Sequence, residues 1–300
     1  EIVDNTNHGK PIGVTFKGKE RDEQLDAINA LMPFSNGVLS ATTAFGKTVT
    51  AAALIARRKT NTLILVHSKA LLMQWHERLS EFLDIDFTEE EISKKRGRKK
   101  AFSPVGCLDS TSNTLHGVID IALMQSCFEN DEVKPFVKGY GMVIVDECHH
   151  VSSITFENVL KHVTAHYVYG LTATPIRKDG LQPIIFMQCG PIRFFADAKA
   201  QIQKQSFQRY LMPRFTSYRP VTDDKQSFTA LSQSLAESKI RNNLIIEDVL
   251  NVVAAGRTPI ILTARTSHVE LLAEMLKQHV ANIIQLTGEG TAKNRRETTS

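Results

Sequence analysis

Residues 38–48 of this 300-residue sequence read VLSATTAFGKT, an apolar run that ends at Gly46-Lys47-Thr48. An alanine-rich helical pattern over residues 49–58 follows at once. A strand, a loop and a helix start in that order surround an anion with free backbone N–H groups and the positive end of the helix macrodipole. A lysine there reaches the β- and γ-phosphates of a nucleotide, and a threonine hydroxyl ligates Mg²⁺. Thr43, Ala44, Phe45, Gly46, Lys47 and Thr48 are therefore the candidate phosphate cradle. The match to G-x-x-x-x-G-K-[ST] is imperfect, with Ala41 in place of the first Gly and Ala44 where many such loops carry another. A GKT helix start with no ligand is the competing reading.

A second stretch, residues 142–150, reads MVIVDECHH. Four apolar residues run straight into Asp146 and Glu147. An ionised pair at the end of a buried strand is costly unless something uses the charge. Mg²⁺ is the natural user beside a phosphate loop, with Asp146 holding the metal directly or through water and Glu147 polarising an attacking water. Farther on, Thr172-Ala173-Thr174-Pro175 closes another apolar run. Its hydroxyls either cap a turn or couple a nucleotide site to a second surface, and spacing alone does not choose.

The elements that must position these residues alternate. Residues 12–16 read as a short strand and 21–32 as a helix with Leu25, Ile28, Leu31 and Met32 on one face and Gln24 near its start. Residues 61–67 form a continuous apolar strand of the kind buried in parallel sheets. Ser68 is a plausible N-cap for a helix whose stripe is Leu71, Leu72, Trp75, Leu79, Phe82 and Leu83. Trp75, the one tryptophan, falls on that stripe and reads as core rather than as a base-stacking residue. Residues 118–123 are a further strand, with Gln125 and Ser126 at its end; 156–162 are a helix and 167–171 a strand. Residues 84–113 break the pattern, and 94–100 read KKRGRKK, open to three readings: a solvated charge run, a phosphate-contacting loop or a localisation signal. Residues 176–235 are a proline-punctuated transition. A new alternation then follows: a helix over 240–255 with Leu244, Ile245, Val249, Val252 and Val253 on one side, a buried-type strand over 259–263, a helix over 268–279 and a strand over 282–286. The fold class is α/β, a parallel sheet flanked by helices followed by the start of a second such domain.

Bulk properties exclude little else. Hydrophobic residues make up 42% of the chain, enough for full cores. A net charge of +4 and a pI near 8.8 permit a nucleic-acid partner without arguing for one. The four cysteines are far apart and form no CxxC pair, which points to reduced thiols. With no run of about 18 apolar residues and no signal-peptide core, a soluble intracellular protein is expected, in cytoplasm, nucleoid or nucleus.

The strings ATTAFGKTVTAAALIARR, LILVHSKALLMQW, VIVDECHH and LTATPIRKDG, in that order, resemble superfamily-two DEAD/DEAH-like helicases and translocases. They are most similar to the branch shared by XPB-like translocases and the motor subunits of type III restriction enzymes. The resemblance covers about residues 12–290. It implies a RecA-like ATP-binding domain over residues 1–198, a linker over 199–234 and the beginning of a second RecA-like domain, truncated, over 235–300. It also implies ATP and Mg²⁺ as ligands and nucleic acid, duplex DNA by preference, as partner. Residue by residue, Gln24 looks like the adenine-sensing glutamine, Lys47 and Thr48 like the phosphate and magnesium residues, and Asp146 and Glu147 like the metal-holding and water-activating carboxylates. Thr172 and Thr174 resemble the motif linking hydrolysis to grip. Ser68, Lys69, Gln125 and Ser126 sit where the family touches the nucleic-acid backbone. Arg265, in ILTARTSHVELL, is expected at that backbone, in the interdomain cleft or simply at the surface. Ala44 departs from the branch's usual glycine, which costs about 1 kcal/mol if φ is positive there. No G-R-x-x-R-like block is found, so the chain is expected to be one piece of a longer motor, completed by a further C-terminal segment or additional subunits, and a weak ATPase by itself. A nucleic-acid clamp with little or no turnover and a small-molecule phosphate-loop enzyme are the alternatives.

Overall fold

The computed structural model describes residues 4–87, 103–149, 154–174, 180, 182–197, 210–219 and 227–287. The basic run at 94–100 lies outside them. The chain divides into two compact units, Glu1–Phe207 and Gln208–Ser300.

In the first unit the strands are β1 (Val14–Phe16), β2 (Asn36–Ser40), β3 (Thr62–Val66), β4 (Leu83–Ile85), β5 (Gly106–Leu108), β6 (Ile119–Leu123), β7 (Phe128–Glu129), β8 (Glu132–Val133), β9 (Met142–Asp146), β10 (Tyr167–Thr172) and β11 (Ile192–Phe195). The helices are α1 (Asp22–Leu31), α2 (Lys47–Arg58), α3 (Lys69–Phe82), α4 (Ile154–His162) and α5 (Gln182–Cys189). Seven strands form one sheet in the order β11-β2-β10-β9-β3-β6-β5, every neighbouring pair parallel. This is the RecA-like parallel sheet flanked by helices.

The alternation of side chains along the strands builds two cores. Ile64 and Val66 of β3 and Met142 and Ile144 of β9 pack with Ile28 of α1, Leu54 of α2 and Trp75 of α3. Leu63, Leu65, Val143 and Val145 face the other way, onto Phe156 and Leu160 of α4 and Ile185 of α5. Burial on both faces explains why these strands are apolar at every position rather than at alternate ones. Period two also fixes a functional detail: Asp146 follows Met142 and Ile144 onto the face covered by α1, α2 and α3.

Five short strands were not foreseen. β4 starts at Leu83, where the helical stripe was expected to end, and β5 lies within residues 84–113; three-residue strands leave too little periodicity to read. β7 and β8, two residues each, pair antiparallel with one another. β11 follows Pro191 inside the expected transition, and it pairs only at the sheet edge, beside β2.

The second unit contains α6 (Phe228–Glu237), α7 (Lys239–Ala254) and α8 (Thr266–Leu276). The expected linker over 199–234 thus ends in a helix, because the Ser227 hydroxyl accepts the Ala230 N–H at 3.2 Å and caps α6. The strands expected at 259–263 and 282–286 are not formed: among the described residues of this unit no strand offers a ladder partner. Ile261 and Ile283 pack onto Ile246, Val249 and Leu272, while Ile260 and Leu262 stay exposed. An apolar run supplies the side chains for a buried strand but not the neighbour that its backbone requires. The buried face of α7 also differs from expectation, being centred on Asn242, Ile246 and Val249.

Candidate nucleotide and metal site

Helix α2 begins two residues earlier than the hydrophobic pattern suggests, at Lys47. The first intrahelical bond is donated by Thr50 N to Gly46 O at 3.1 Å, so the N–H groups of Gly46, Lys47, Thr48 and Val49 precede it. Those are the groups an anion can engage at this end of a 12-residue helix. Gly46 has φ 84°, and a Cβ there would lie 2.6 Å from Gln24 Nε2. Both facts demand glycine. Ala44 lies in the single turn Thr43–Phe45 and is not among the residues with positive φ, so alanine fits without strain.

The loop is braced from α1. Gln24 is buried; its Nε2 donates to Phe45 O at 3.0 Å and its Oε1 accepts the Arg21 N–H at 3.0 Å. Arg21 donates through Nη2 to the same Phe45 carbonyl and to Ala44 O. Both ends of the Gln24 carboxamide are thus engaged by protein. Arg21, three residues before Gln24, received no role from the sequence.

Sheet order decides what faces Lys47. β2 and β9 are separated only by β10, so the loop after β2 and the carboxylates after β9 meet at one carboxyl edge, where open α/β sheets bind ligands. Lys47 is 7% exposed. Its Nζ donates to Ala41 O at 3.2 Å and lies 3.6 Å from Glu147 Oε1. Asp146 is buried too, and burial raises its pKa above the usual carboxylate value. Its Oδ2 accepts the Trp75 indole N–H at 2.7 Å, and its Oδ1 accepts the Glu147 N–H at 3.0 Å. Glu147 has φ 47°, the left-handed region, which costs a non-glycine residue roughly 1–2 kcal/mol. Its Oε2 lies 3.3 Å from His149 Nδ1, which also bonds Thr172 Oγ1 at 3.1 Å. Thr172 Oγ1 accepts the Thr174 N–H at 3.1 Å. A chain of contacts therefore runs Lys47–Glu147–His149–Thr172–Thr174. His149 was legible only as a letter of the DECH string.

Thr48, Asp146 and Glu147 offer the hydroxyl and carboxylate oxygens that a hard cation shared with phosphate prefers. No helix among the described residues is long and apolar enough to cross a membrane.

The other expected contacts lie on adjacent strand ends. Ser68 caps α3, its hydroxyl accepting the Leu71 N–H at 3.3 Å. Lys69 Nζ pairs with Asp109 Oδ2 at 2.8 Å, just past β5, and reaches Thr111 Oγ1 at 3.4 Å. The Lys69 bond, then that of Thr111, hold the Asp109 carboxyl well below its ordinary pKa. Gln125, exposed, donates weakly to His67 O at 3.5 Å, and Ser126 follows it. Val66 and Leu123 are register partners, so these four residues share the same carboxyl edge. Arg265, in the second unit, bonds Thr229 O at 2.8 Å, Gln233 Oε1 at 2.7 Å and Ser232 Oγ at 3.2 Å, all on α6.

The chain is similar to known proteins along most of its length. A family model described as "Type III restriction enzyme, res subunit" matches residues 17–177. "Putative helicase 161L" of Invertebrate iridescent virus 6 is 28% identical over 280 residues, covering 90% of this chain and 58% of that protein. "Putative helicase 109L" of Invertebrate iridescent virus 3 is 34% identical over 184 residues, 60% of this chain and 53% of that protein. "DNA 3'-5' helicase XPB" of Kineococcus radiotolerans is 26% identical over 284 residues, 92% of this chain and 47% of that protein. The chain thus spans about half the length of these relatives.

Proposed function

Because the chain belongs to the family described as the type III restriction enzyme res subunit, we propose that it is the ATP-hydrolysing part of a helicase or translocase that moves on nucleic acid, duplex DNA by preference. The observation that carries this reading is the meeting of Lys47 and Glu147 at 3.6 Å across an intervening strand. A lysine for phosphate oxygens and a carboxylate to orient water, side by side at the carboxyl edge of a parallel sheet, are parts that phosphoryl transfer to water uses. The preference for DNA rests on the similarity to the DNA 3'-5' helicase XPB of Kineococcus radiotolerans.

Lys47 and the N–H groups at the start of α2 bind phosphate oxygens. Thr48 and Asp146 would hold the cation through their oxygens, and Mg²⁺ there would supply positive charge against the nucleotide phosphates. Glu147 orients the attacking water and accepts its proton. Gln24 and Arg21 hold the loop carbonyls, keeping the cradle N–H groups turned outward. The contact chain through His149 ties Glu147 to Thr172 and Thr174, which links the site to the grip on nucleic acid. Ser68, Lys69, Gln125 and Ser126 hold the track, and Arg265 belongs with α6, α7 and α8 to the opening of a second RecA-like lobe.

The test is ATP turnover by the protein with Mg²⁺, alone and with duplex DNA, single-stranded DNA or RNA. Stimulation by one of them, lost in Lys47→Ala, is expected. Turnover indifferent to all three sinks the motor reading; nucleic-acid binding with no turnover leaves a clamp.

A further inference from the structure

Trp75 was read as core, and it is core, 1% exposed among the aliphatic side chains of the α1–α3 face. Packing does not explain where its one polar atom goes. The indole N–H can only donate, and it donates at 2.7 Å to Asp146 Oδ2, 71 residues away. A buried indole finds some partner as a rule, yet this partner is a buried carboxylate at the end of β9, beside Lys47 and Glu147. Two features make the arrangement specific. The β9 alternation delivers Asp146 to the face that α3 covers, and the α3 stripe Leu72, Trp75, Leu79 turns the indole toward it. The second carboxylate oxygen is held by the Glu147 N–H at 3.0 Å. Each oxygen thus has one donor and keeps lone-pair capacity for a cation, and rotation about the Cβ–Cγ bond is blocked at both ends.

We propose that Trp75 is a positioning residue for the metal–nucleotide site, its indole N–H fixing the Asp146 carboxylate in the orientation that receives the cation. This rests on the nucleotide-site reading above. Residues that orient metal-holding groups in this way typically contribute about 10- to 100-fold to metal affinity.

The experiment titrates Mg²⁺ into the protein with ADP and measures nucleotide affinity by calorimetry, for the unaltered chain, Trp75→Phe and Leu79→Ala. Phenylalanine keeps a ring and removes the donor. Leu79→Ala disturbs the same buried helix face without touching Asp146. The expected result is that Trp75→Phe binds ADP normally in EDTA but needs about 10-fold or more Mg²⁺ to reach the tightened state, while Leu79→Ala does not. A Mg²⁺ requirement within about twofold of the unaltered chain overturns the positioning role and leaves the nucleotide site standing. An equal shift in both variants also overturns it, by assigning the effect to packing. Failure of the unaltered chain to bind ADP removes the nucleotide site and the positioning role together. If Trp75→Phe does not fold, the unaltered chain decides: Trp75 is the only tryptophan, so its single indole N–H resonance should move when Mg²⁺ joins the ADP complex, and an unmoved resonance overturns the proposal.

Discussion

Lys47 in the first unit and Asn242 with His268 in the second are all buried, but they satisfy their polar atoms differently. Lys47 reaches a backbone carbonyl at 3.2 Å and a carboxylate at 3.6 Å, the second too far for a hydrogen bond. Around it Asp146 is buried against its own charge and Glu147 holds a strained backbone. In the second unit, His268 Nε2 meets Asn242 Oδ1 at 3.0 Å, His268 Nδ1 meets Thr263 Oγ1 at 2.8 Å, and Asn242 Nδ2 donates to Ala236 O at 2.8 Å. Burial and then the nearby Arg241 lower the His268 pKa, which favours the neutral ring. One cluster concentrates charge that the protein alone pairs poorly. The other is neutral and closed upon itself. Burial of polar groups is common to both, so burial does not identify a site; unspent capacity for a charged ligand does.

The sharpest way to break this contrast is Glu147→Gln. It keeps size and removes the base, so turnover should fall about 10²- to 10⁴-fold while nucleotide binding persists; steady-state hydrolysis beside ADP affinity checks both. Unchanged turnover would make the strained glutamate as structural as the second unit's network. Next, Asn242→Ala should lower the second unit's stability by about 1–3 kcal/mol, because it strands one buried donor and one acceptor, and should leave nucleotide affinity alone. Urea unfolding paired with ADP calorimetry separates the two. A smaller effect follows from His268. Its folded pKa lies below its unfolded value, so the unfolded chain takes up the proton first as pH falls. The second unit's stability should therefore be level above about pH 6.5 and decline below it, measured as the urea midpoint between about pH 8 and pH 5. The smallest effect belongs to the pair of exposed Lys69 with the largely covered Asp109. Lys69→Ala should reduce the slope of log affinity for nucleic acid against log salt by about one, and Asp109→Asn, which releases Lys69, should tighten binding.

Much of the first unit was legible. The apolar runs of β2, β3, β6, β9 and β10 are long and bounded, and the helical stripes between them repeat, so period alone located them. β4, β5, β7, β8 and β11 were not legible, since two to four residues carry almost no period and their pairing is decided by the neighbour they meet. The reverse error occurred at 259–263 and 282–286, where β-rich composition was present but no partner strand was. Among site residues, the GKT and DECH strings announced themselves because their chemistry is contiguous. Arg21 did not, because the carbonyls of Ala44 and Phe45 that it holds are distant in sequence, and the DECH string did not disclose that His149 joins Glu147 to Thr172, 23 residues on. Lys69 was legible as a cation but not as the partner of Asp109, which sits beyond a break in the pattern.

The sequence by itself determined the local grammar: the long apolar strands of the first unit, a Gly46-Lys47-Thr48 string leading into a helix, and two carboxylates closing β9. These follow from backbone sterics, side-chain alternation and helix-end chemistry, all of which act over a few residues. Only the tertiary structure decided that β10 lies between β2 and β9, so that Lys47 faces Glu147. It alone decided that the indole of Trp75 reaches Asp146, and that Arg265 is absorbed by α6 within its own unit. Strand order and helix placement depend on how whole faces pack, and no window of sequence contains both partners of those contacts.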